Sequence, residues 1–166
     1  MKKILLILMI ALTLYAGVTE GDRAVDFTLS TLDATQQHTL TELKGKVILL
    51  NLWASWCGGC QKEMPEFFKL QSSYANNFEI VTVSIDKNAQ NSIDFLEEVS
   101  QDLKMKIPFK TLYDPQKKLA KAYGAMGMPS SYLIDKEGVV RMVIVGSFNH
   151  DDIEALRQKI DLLIKQ

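Results

Sequence analysis

The sequence has little of the features that define specialised protein classes. Only two cysteines occur among 166 residues, too few for the disulfide framework of a small secreted scaffold. Neither sign of charge is in excess, because the sequence has 19 Lys and Arg residues and 20 Asp and Glu residues. No Lys- or Arg-rich face stands out, which disfavours a nucleic-acid partner. With 47% apolar and 23% charged residues, the composition is that of one globular domain.

The N-terminus has the pattern of a targeting segment. Two lysines precede an apolar run over residues 4–16, and charged residues follow from Glu20, an order typical of a secretory signal. We expect residues 1–18 to be a signal peptide or an uncleaved membrane anchor, and residues 25–166 to form a domain outside the cytoplasm. Cleavage after Ala16 is plausible, but Leu14 at the −3 position makes it a poor site, so the cleaved and the retained forms both stay open. Membrane association is expected only through the N-terminal segment, if it is retained.

Strand and helix patterns alternate along the rest of the chain. Strands are predicted over residues 26–32, 38–40, 47–52, 79–86, 131–135 and 139–145. Helices are predicted from Cys60 to Asn76, over residues 91–103, from an Asp114 cap with Pro115 to Gly124, and after an Asn149 cap. This order predicts an α/β fold: a mixed central β-sheet flanked by helices, with an N-terminal β-hairpin and a central helical insertion.

The two cysteines form a Cys-Gly-Gly-Cys sequence, Cys57 to Cys60, directly after the predicted central strand. Open α/β sheets have their sites at the carboxyl ends of such strands. The backbone N–H groups at a helix start stabilise a thiolate on Cys57, while Cys60 stays shielded. Cys57 would attack a partner's disulfide, and Cys60 would resolve the mixed disulfide. Gly58 and Gly59 permit unusual backbone angles and add no charge.

Other uses of two cysteines are open at this point. A closed zinc site needs four ligands, and His38 and His150 are more simply surface or capping residues. A linear Cu(I) site needs only the two thiolates, which would make the chain a copper-binding and delivery module. An inert structural disulfide is chemically possible, although so small a ring restricts the unfolded chain little.

Two segments carry a family resemblance. Residues 51–65 (NLWASWCGGCQKEMP) resemble the active-site segment of the thioredoxin superfamily, in its extracytoplasmic branch of ResA-, TlpA- and CcmG-like thiol-disulfide oxidoreductases, related to AhpC/TSA redoxins. Residues 127–135 (GMPSSYLID) resemble the proline loop and following strand of the same family. The similarity extends over most of residues 25–165 and implies a thioredoxin-like fold.

The resemblance implies a role for five residues, four through their side chains and one through its backbone. Cys57 matches the exposed nucleophile and Cys60 the resolving thiol of a redox-active disulfide. Pro129 matches the family's cis-proline, which packs against the cysteines and leaves the backbone of Met128 free to pair with an extended substrate. Glu63 matches an acidic residue thought to tune the protonation of the thiols. Its alternative interpretation is a glutamate favoured by the dipole at the helix start.

Three further residues near the cysteines carry expectations. Trp53 and Trp56 are expected to close the core first, with Trp56 also bordering the substrate surface. Asn51 occupies the position where cytoplasmic thioredoxins carry a buried acid. That departure leaves Glu63 as the only nearby carboxylate that the sequence suggests.

The resemblance also implies partners and a pathway. Members of this branch reduce disulfides in apocytochrome c or other exported proteins, with electrons from a membrane thiol transporter of the CcdA/DsbD type. It therefore implies an extracytoplasmic protein-disulfide reductase without cofactor or metal, acting in cytochrome c maturation or periplasmic disulfide reduction. The Gly-Gly pair leaves the direction of electron flow open. A thiol peroxidase is the other enzyme alternative, but Leu50 and Ala54 stand where it needs Pro and Thr or Ser.

Overall fold

The computed structural model describes residues 17–74 and 76–166, and nearly all of the predicted leader lies outside them. The strands are β1 (Thr28–Thr31), β2 (Gln37–Thr39), β3 (Val47–Trp53), β4 (Phe78–Ser84), β5 (Lys110–Tyr113), β6 (Ser130–Ile134) and β7 (Val140–Val145). The helices are α1 (Gly58–Ser73), α2 (Ala89–Leu103), α3 (Lys118–Ala122) and α4 (His150–Lys165), with a 3₁₀ turn at Leu40–Leu43. Among the described helices, none has the length and apolar character that a membrane span requires.

The strands form one mixed sheet in the order β2-β1-β5-β4-β3-β6-β7. Strands β3, β4 and β5 are parallel, and β6 pairs antiparallel with the other side of β3. Strand β3 is buried over its whole length, as its continuous apolar sequence predicts for a strand covered on both faces. The predicted mixed α/β fold is confirmed, including the β1–β2 and β6–β7 hairpins.

The apolar spacing of α1 and the N-terminal cap of α4 explain why these two segments are helical. Helix α1 buries Met64, Phe67 and Phe68, which recur at helical spacing. Helix α4 begins after Asn149, whose side chain accepts a hydrogen bond from the Asp152 amide in a capping box. Such a cap satisfies backbone donors that a helix start leaves unpaired. The predicted start of this last helix is confirmed.

One strand was missed, and one predicted helix start was wrong. Strand β5 was not predicted, because only Thr111 and Leu112 of its four residues are buried, too short a pattern to recognise. Helix α3 begins at Lys118 rather than directly after Asp114. The Asp114 carboxylate still accepts hydrogen bonds from the amides of Lys118 and Leu119, at 3.0 and 2.7 Å, but it reaches them across an intervening turn.

The loops that follow the three parallel strands lie at one edge of the sheet. Because β3, β4 and β5 are parallel neighbours, their carboxyl ends meet at the same edge. The segments that follow them, residues 54–57, 85–88 and 114–117, therefore lie side by side. We call this the carboxyl edge; it is where open α/β sheets carry their sites.

Candidate active site

Cys57 and Cys60 form a disulfide at the start of α1, with their Cα atoms 5.2 Å apart. Cys57 is the N-cap of the helix, and its sulfur accepts a hydrogen bond from the Cys60 amide at 3.2 Å. Cys57 keeps 7% of its surface exposed, whereas Cys60 has none. The backbone at the helix start is therefore oriented to stabilise negative charge on the outer sulfur.

The two glycines between the cysteines serve different purposes. Neither has a left-handed φ, so the unusual backbone angles that glycine permits are not used here. A Cβ on Gly59 would lie 3.2 Å from Pro129 Cδ and 3.3 Å from Ser147 Cβ, whereas a Cβ on Gly58 would point into open space. Gly59 is thus needed for close approach, because two other loops pack directly against the backbone at this position.

The loop that precedes β6 packs against the cysteine segment through Pro129. The Met128–Pro129 peptide bond is cis, and Pro129 is buried. Its carbonyl accepts a hydrogen bond from the Gly146 amide at 2.9 Å, and the Ser130 hydroxyl donates to the Gly127 carbonyl at 2.7 Å. Within residues 17–74 and 76–166, no group is hydrogen-bonded to the backbone of Met128. This loop brings an unpaired stretch of backbone to the cysteine pair.

Glu63 lies in the interior, one helical turn beyond Cys60, with 2% of its surface exposed. Its Oε1 accepts a hydrogen bond from Asn51 Nδ2 at 2.9 Å, and the same amide donates to Ser131 Oγ at 2.9 Å. Its Oε2 has no partner in the described part of the chain. Burial raises the pKa of Glu63 to about 7, although the hydrogen bond from Asn51 acts in the opposite direction. Glu63 can therefore take up or release a proton near neutral pH.

The two tryptophans have opposite environments. Trp53 ends β3 fully buried, with its ring centroid 5.5 Å from that of Phe95, so the expectation of core packing is confirmed. For Trp56 the same expectation was wrong, because 64% of its surface is exposed. Trp56 lies in the turn between β3 and α1, where the chain has already left the core. Its ring is available at the surface beside Cys57.

Sequence reasoning missed a second buried carboxylate, that of Asp86. Its Oδ2 accepts hydrogen bonds from the Ser55 amide at 3.0 Å and from the Ser92 hydroxyl at 2.5 Å. The sequence suggested Glu63 as the only obvious nearby carboxylate, and the structure adds Asp86, which binds the backbone two residues before Cys57. Asp86 follows β4 at the carboxyl edge, and this position was the available signal. It anchors the turn that carries Trp56 and Cys57.

The histidines contribute nothing to this arrangement. His38 lies on β2, with Nδ1 3.4 Å from a Glu42 carboxylate oxygen, and His150 is the exposed first residue of α4. Across the described residues, no three His, Cys, Asp or Glu side chains are grouped to hold a metal ion. A two-thiolate copper site needs no third ligand, so that alternative is left to the functional test below.

This fold and this pair of cysteines define the class of thiol-disulfide oxidoreductases. The chain matches the AhpC/TSA family over residues 20–143 and belongs to that family. It is 35% identical to the thioredoxin-like protein YneN of Bacillus subtilis over 149 residues, 88% of this chain and 81% of YneN. It is also 35% identical to the thiol-disulfide oxidoreductase ResA of Geobacillus thermodenitrificans over 161 residues, 91% of this chain and 88% of ResA.

The solved structures lead to the same conclusion. A candidate thiol:disulfide interchange protein DsbE from Chlorobium tepidum superimposes with a TM-score of 0.77 at 34% identity, covering 89% of this chain and 99% of that one. The thioredoxin-like fold implied by the sequence resemblance is confirmed. The chain is a thiol-disulfide oxidoreductase.

Proposed function

We propose that the chain works outside the cytoplasm as a reductant of protein disulfides, with Cys57 as nucleophile and Cys60 as resolving thiol. The observation that carries the proposal is the difference in exposure within the pair: Cys57, the N-cap of α1, keeps 7% of its surface exposed, and Cys60 keeps none. A substrate can therefore reach only one of the two sulfurs. The Cys60 sulfur is shielded from the substrate and can react only with Cys57, in the second exchange.

The reaction transfers two electrons in two exchanges. The Cys57 thiolate of the reduced protein attacks one sulfur of the substrate disulfide, forming a mixed disulfide and releasing the other substrate sulfur as a thiolate that takes up a proton. The Cys60 thiolate then attacks the Cys57 sulfur, and the mixed disulfide breaks. The substrate leaves as a dithiol, and the protein keeps the Cys57–Cys60 disulfide.

Glu63 serves as the proton acceptor for Cys60. It lies three residues after Cys60 and so on the same face of α1, and its pKa of about 7 suits proton transfer near neutral pH. Asn51 and Ser131 are positioning residues, because one amide group of Asn51 bridges Glu63 and Ser131. Asn51 and Ser131 are themselves cross-strand partners on β3 and β6, which makes the support rigid.

Met128, Pro129 and Trp56 form the substrate surface. The backbone of Met128 is unpaired within the described residues and can bind an extended peptide as an added strand does. Pro129 holds this backbone against Gly59 between the cysteines. The exposed ring of Trp56 offers apolar contact on the Cys57 side.

Two features favour electron flow toward the substrate. The segment between the cysteines carries no cationic side chain, and a buried carboxylate lies one turn beyond Cys60. Both give a thiolate less stabilisation than a cationic site would, which favours the disulfide form of the protein and a low reduction potential. The similarity to ResA suggests cytochrome c maturation, with apocytochrome c as a substrate and a CcdA/DsbD-type membrane protein as donor. Residues 1–18 would be the export signal or anchor.

Trapping the mixed disulfide tests this mechanism. Reduced Cys60→Ser protein is mixed with apocytochrome c whose two cysteines are oxidised to a disulfide. We expect a covalent adduct through Cys57, seen on a non-reducing gel and by mass, because the resolving thiol is gone. The Cys57→Ser protein should form none, since Cys60 is buried.

Two outcomes would contradict the proposal. One is disulfide reduction by Cys57→Ser at the native rate. The other is sub-nanomolar Cu(I) binding by the native protein together with failure to reduce any protein disulfide, which would favour the copper-delivery module instead.

A further inference from the structure

A cleft of about 290 Å³ lies beside Trp56 at the carboxyl edge of the sheet. It is formed by the three segments that follow β3, β4 and β5 together with Asn91 of α2, and it adjoins the turn that carries Cys57. Its lining residues are Trp56, Ile85, Asp86, Lys87, Asn91 and Lys117. None of them has a part in the thiol exchange described above except Trp56, which borders the substrate surface.

The backbone that carries the two lysines is fixed. The Tyr113 hydroxyl donates a hydrogen bond to the Lys87 carbonyl at 2.9 Å, which ties the segment after β4 to the end of β5. The Lys117 amide donates to the Asp114 carbonyl at 2.9 Å, closing the turn before α3. Both lysines are exposed, so their ammonium groups extend into solvent from defined positions around the cleft.

The charge at the mouth of the cleft is not neutralised by the fold. Within the described residues, neither Lys87 nor Lys117 takes part in an ion pair. The two nearby carboxylates are buried and accept hydrogen bonds from the protein: Asp86 Oδ2 binds the Ser55 amide, and Asp114 binds the start of α3. Asp86 Oδ1 has no partner in the described part of the chain, but it is buried, whereas both lysines are exposed. The cleft therefore presents two unpaired cations next to the exposed ring of Trp56.

We infer that this cleft binds an acidic stretch of the substrate polypeptide next to its disulfide. The inference rests on the proposed function, because the cleft adjoins the turn that carries Trp56 and Cys57. An Asp or Glu a few residues from the reacting cysteine, at about 3.5 Å of chain per residue, is the group that the lysines would attract. Lys87 and Lys117 are thus specificity-determining residues, and the preferred substrates are disulfides flanked by negative charge.

Three synthetic peptides test the inference. Each carries one Cys-x-x-Cys disulfide, flanked on both sides by three acidic, three neutral amide or three basic residues. The reduced native protein is mixed with each peptide, and the second-order rate constant is followed by tryptophan fluorescence. We expect the acidic peptide to react about fivefold or more faster than the neutral one, since one contact between opposite charges in water contributes about 1 kcal/mol. Raising the salt concentration should reduce this ratio.

Variants then locate the preference. In the Lys87→Gln, Lys117→Gln double variant we expect the acidic-to-neutral ratio to fall close to one. Because each protein is compared with itself, a change in intrinsic reactivity cancels from the ratio. Lys106→Gln is the matched control: Lys106 is exposed, and it precedes β5, at the opposite edge of the sheet. This variant should keep the native ratio.

The outcomes separate the inference from the function on which it rests. If the native protein reduces all three peptides at equal rates, or if the double variant and the native protein have the same ratio, the inference is wrong and the proposed function stands. A preference that salt does not change would also overturn it. If the native protein reduces none of the peptides, the proposed function itself fails.

Discussion

At the scale of single residues, the burial of Glu63 has a direct energetic consequence. Its carboxylate is buried, with one oxygen bound to Asn51 and the other unpartnered in the described chain. Burial raises its pKa from the ordinary 4.5 to about 7, so the folded protein binds this proton more tightly than the unfolded chain does. The free energy of unfolding therefore falls as the pH rises from about 4.5 to 7, because the buried carboxylate has to ionise. Above about pH 7 this loss of stability stays constant.

Replacing Glu63 by glutamine should remove this pH dependence. The amide keeps the shape of the side chain but carries no charge, so Glu63→Gln should be more stable than the native protein at pH 8 and little different near pH 4.5. A pKa shift from 4.5 to about 7 corresponds to about 3 kcal/mol. Urea unfolding of the disulfide form across this pH range measures the difference.

Glu66→Gln is the control for that experiment. Glu66 lies on the outer face of α1, paired with Lys69, and an exposed pair of this kind contributes at most about 1 kcal/mol. Its unfolding free energy should follow the native curve at every pH. If the unfolding free energies of Glu63→Gln and of the native protein change in parallel with pH, ionisation of Glu63 does not destabilise the folded protein.

The sequence predicted part of this environment. The spacing from Cys60 indicates that Glu63 shares a helix face with it, and Asn51 stood out as a departure from the cytoplasmic thioredoxins. Their hydrogen bond was not predictable, nor was the contribution of Ser131, which is 80 positions from Asn51. That contact depends on the antiparallel pairing of β3 with β6, which only the folded sheet establishes.

At the scale of elements, the start of α1 and the loop before β6 are packed too closely to vary independently. Pro129 and Ser147 both contact the backbone at Gly59, whereas Gly58 faces open space. The sequence suggested conformational freedom for both glycines, and the structure shows close packing at one of them. The difference arises because residues 59, 129 and 147 meet only in the tertiary structure.

A pair of alanine variants distinguishes the two positions. Gly58→Ala should be neutral or stabilising by up to about 1 kcal/mol, because the methyl group meets nothing and alanine restricts the unfolded chain. Gly59→Ala should destabilise by about 1 kcal/mol or more, because Pro129 and Ser147 have to shift. It should also slow peptide-disulfide reduction several-fold, since Pro129 supports the substrate-binding backbone. Thermal unfolding and the peptide assay measure both effects, and identical behaviour of the two variants would contradict the close packing.

Long, strongly patterned elements were predictable, and short ones were not. The apolar run of β3 and the periodic stripe of α4 were both recognised, because each buries several residues in a regular order. Strand β5 has four residues and owes its place in the sheet to pairing with β4 and β1. Such a strand is selected by its neighbours more than by its own sequence.

At the scale of the whole molecule, the order of the parallel strands assembles the site. The sequence placed the cysteines at the end of a central strand, but it did not indicate that β4 and β5 end beside them. The order β5-β4-β3 brings Asp86, Lys87 and Lys117 to the edge that carries Cys57. Strand order is a property of the complete fold, which is why these residues were found only in the structure.

The reduction potential of the Cys57–Cys60 pair is the decisive measurement for the proposed direction of electron flow. The potential depends on the helix start, the uncharged Gly-Gly segment and the buried Glu63, and it determines the direction of electron flow. The native protein is equilibrated with thiol–disulfide buffers of graded ratio, and its oxidised fraction is read by thiol labelling and mass. We expect a value of about −270 mV, as in a reductant of the thioredoxin kind. A value of about −120 mV would make the protein an oxidant and contradict the proposed function.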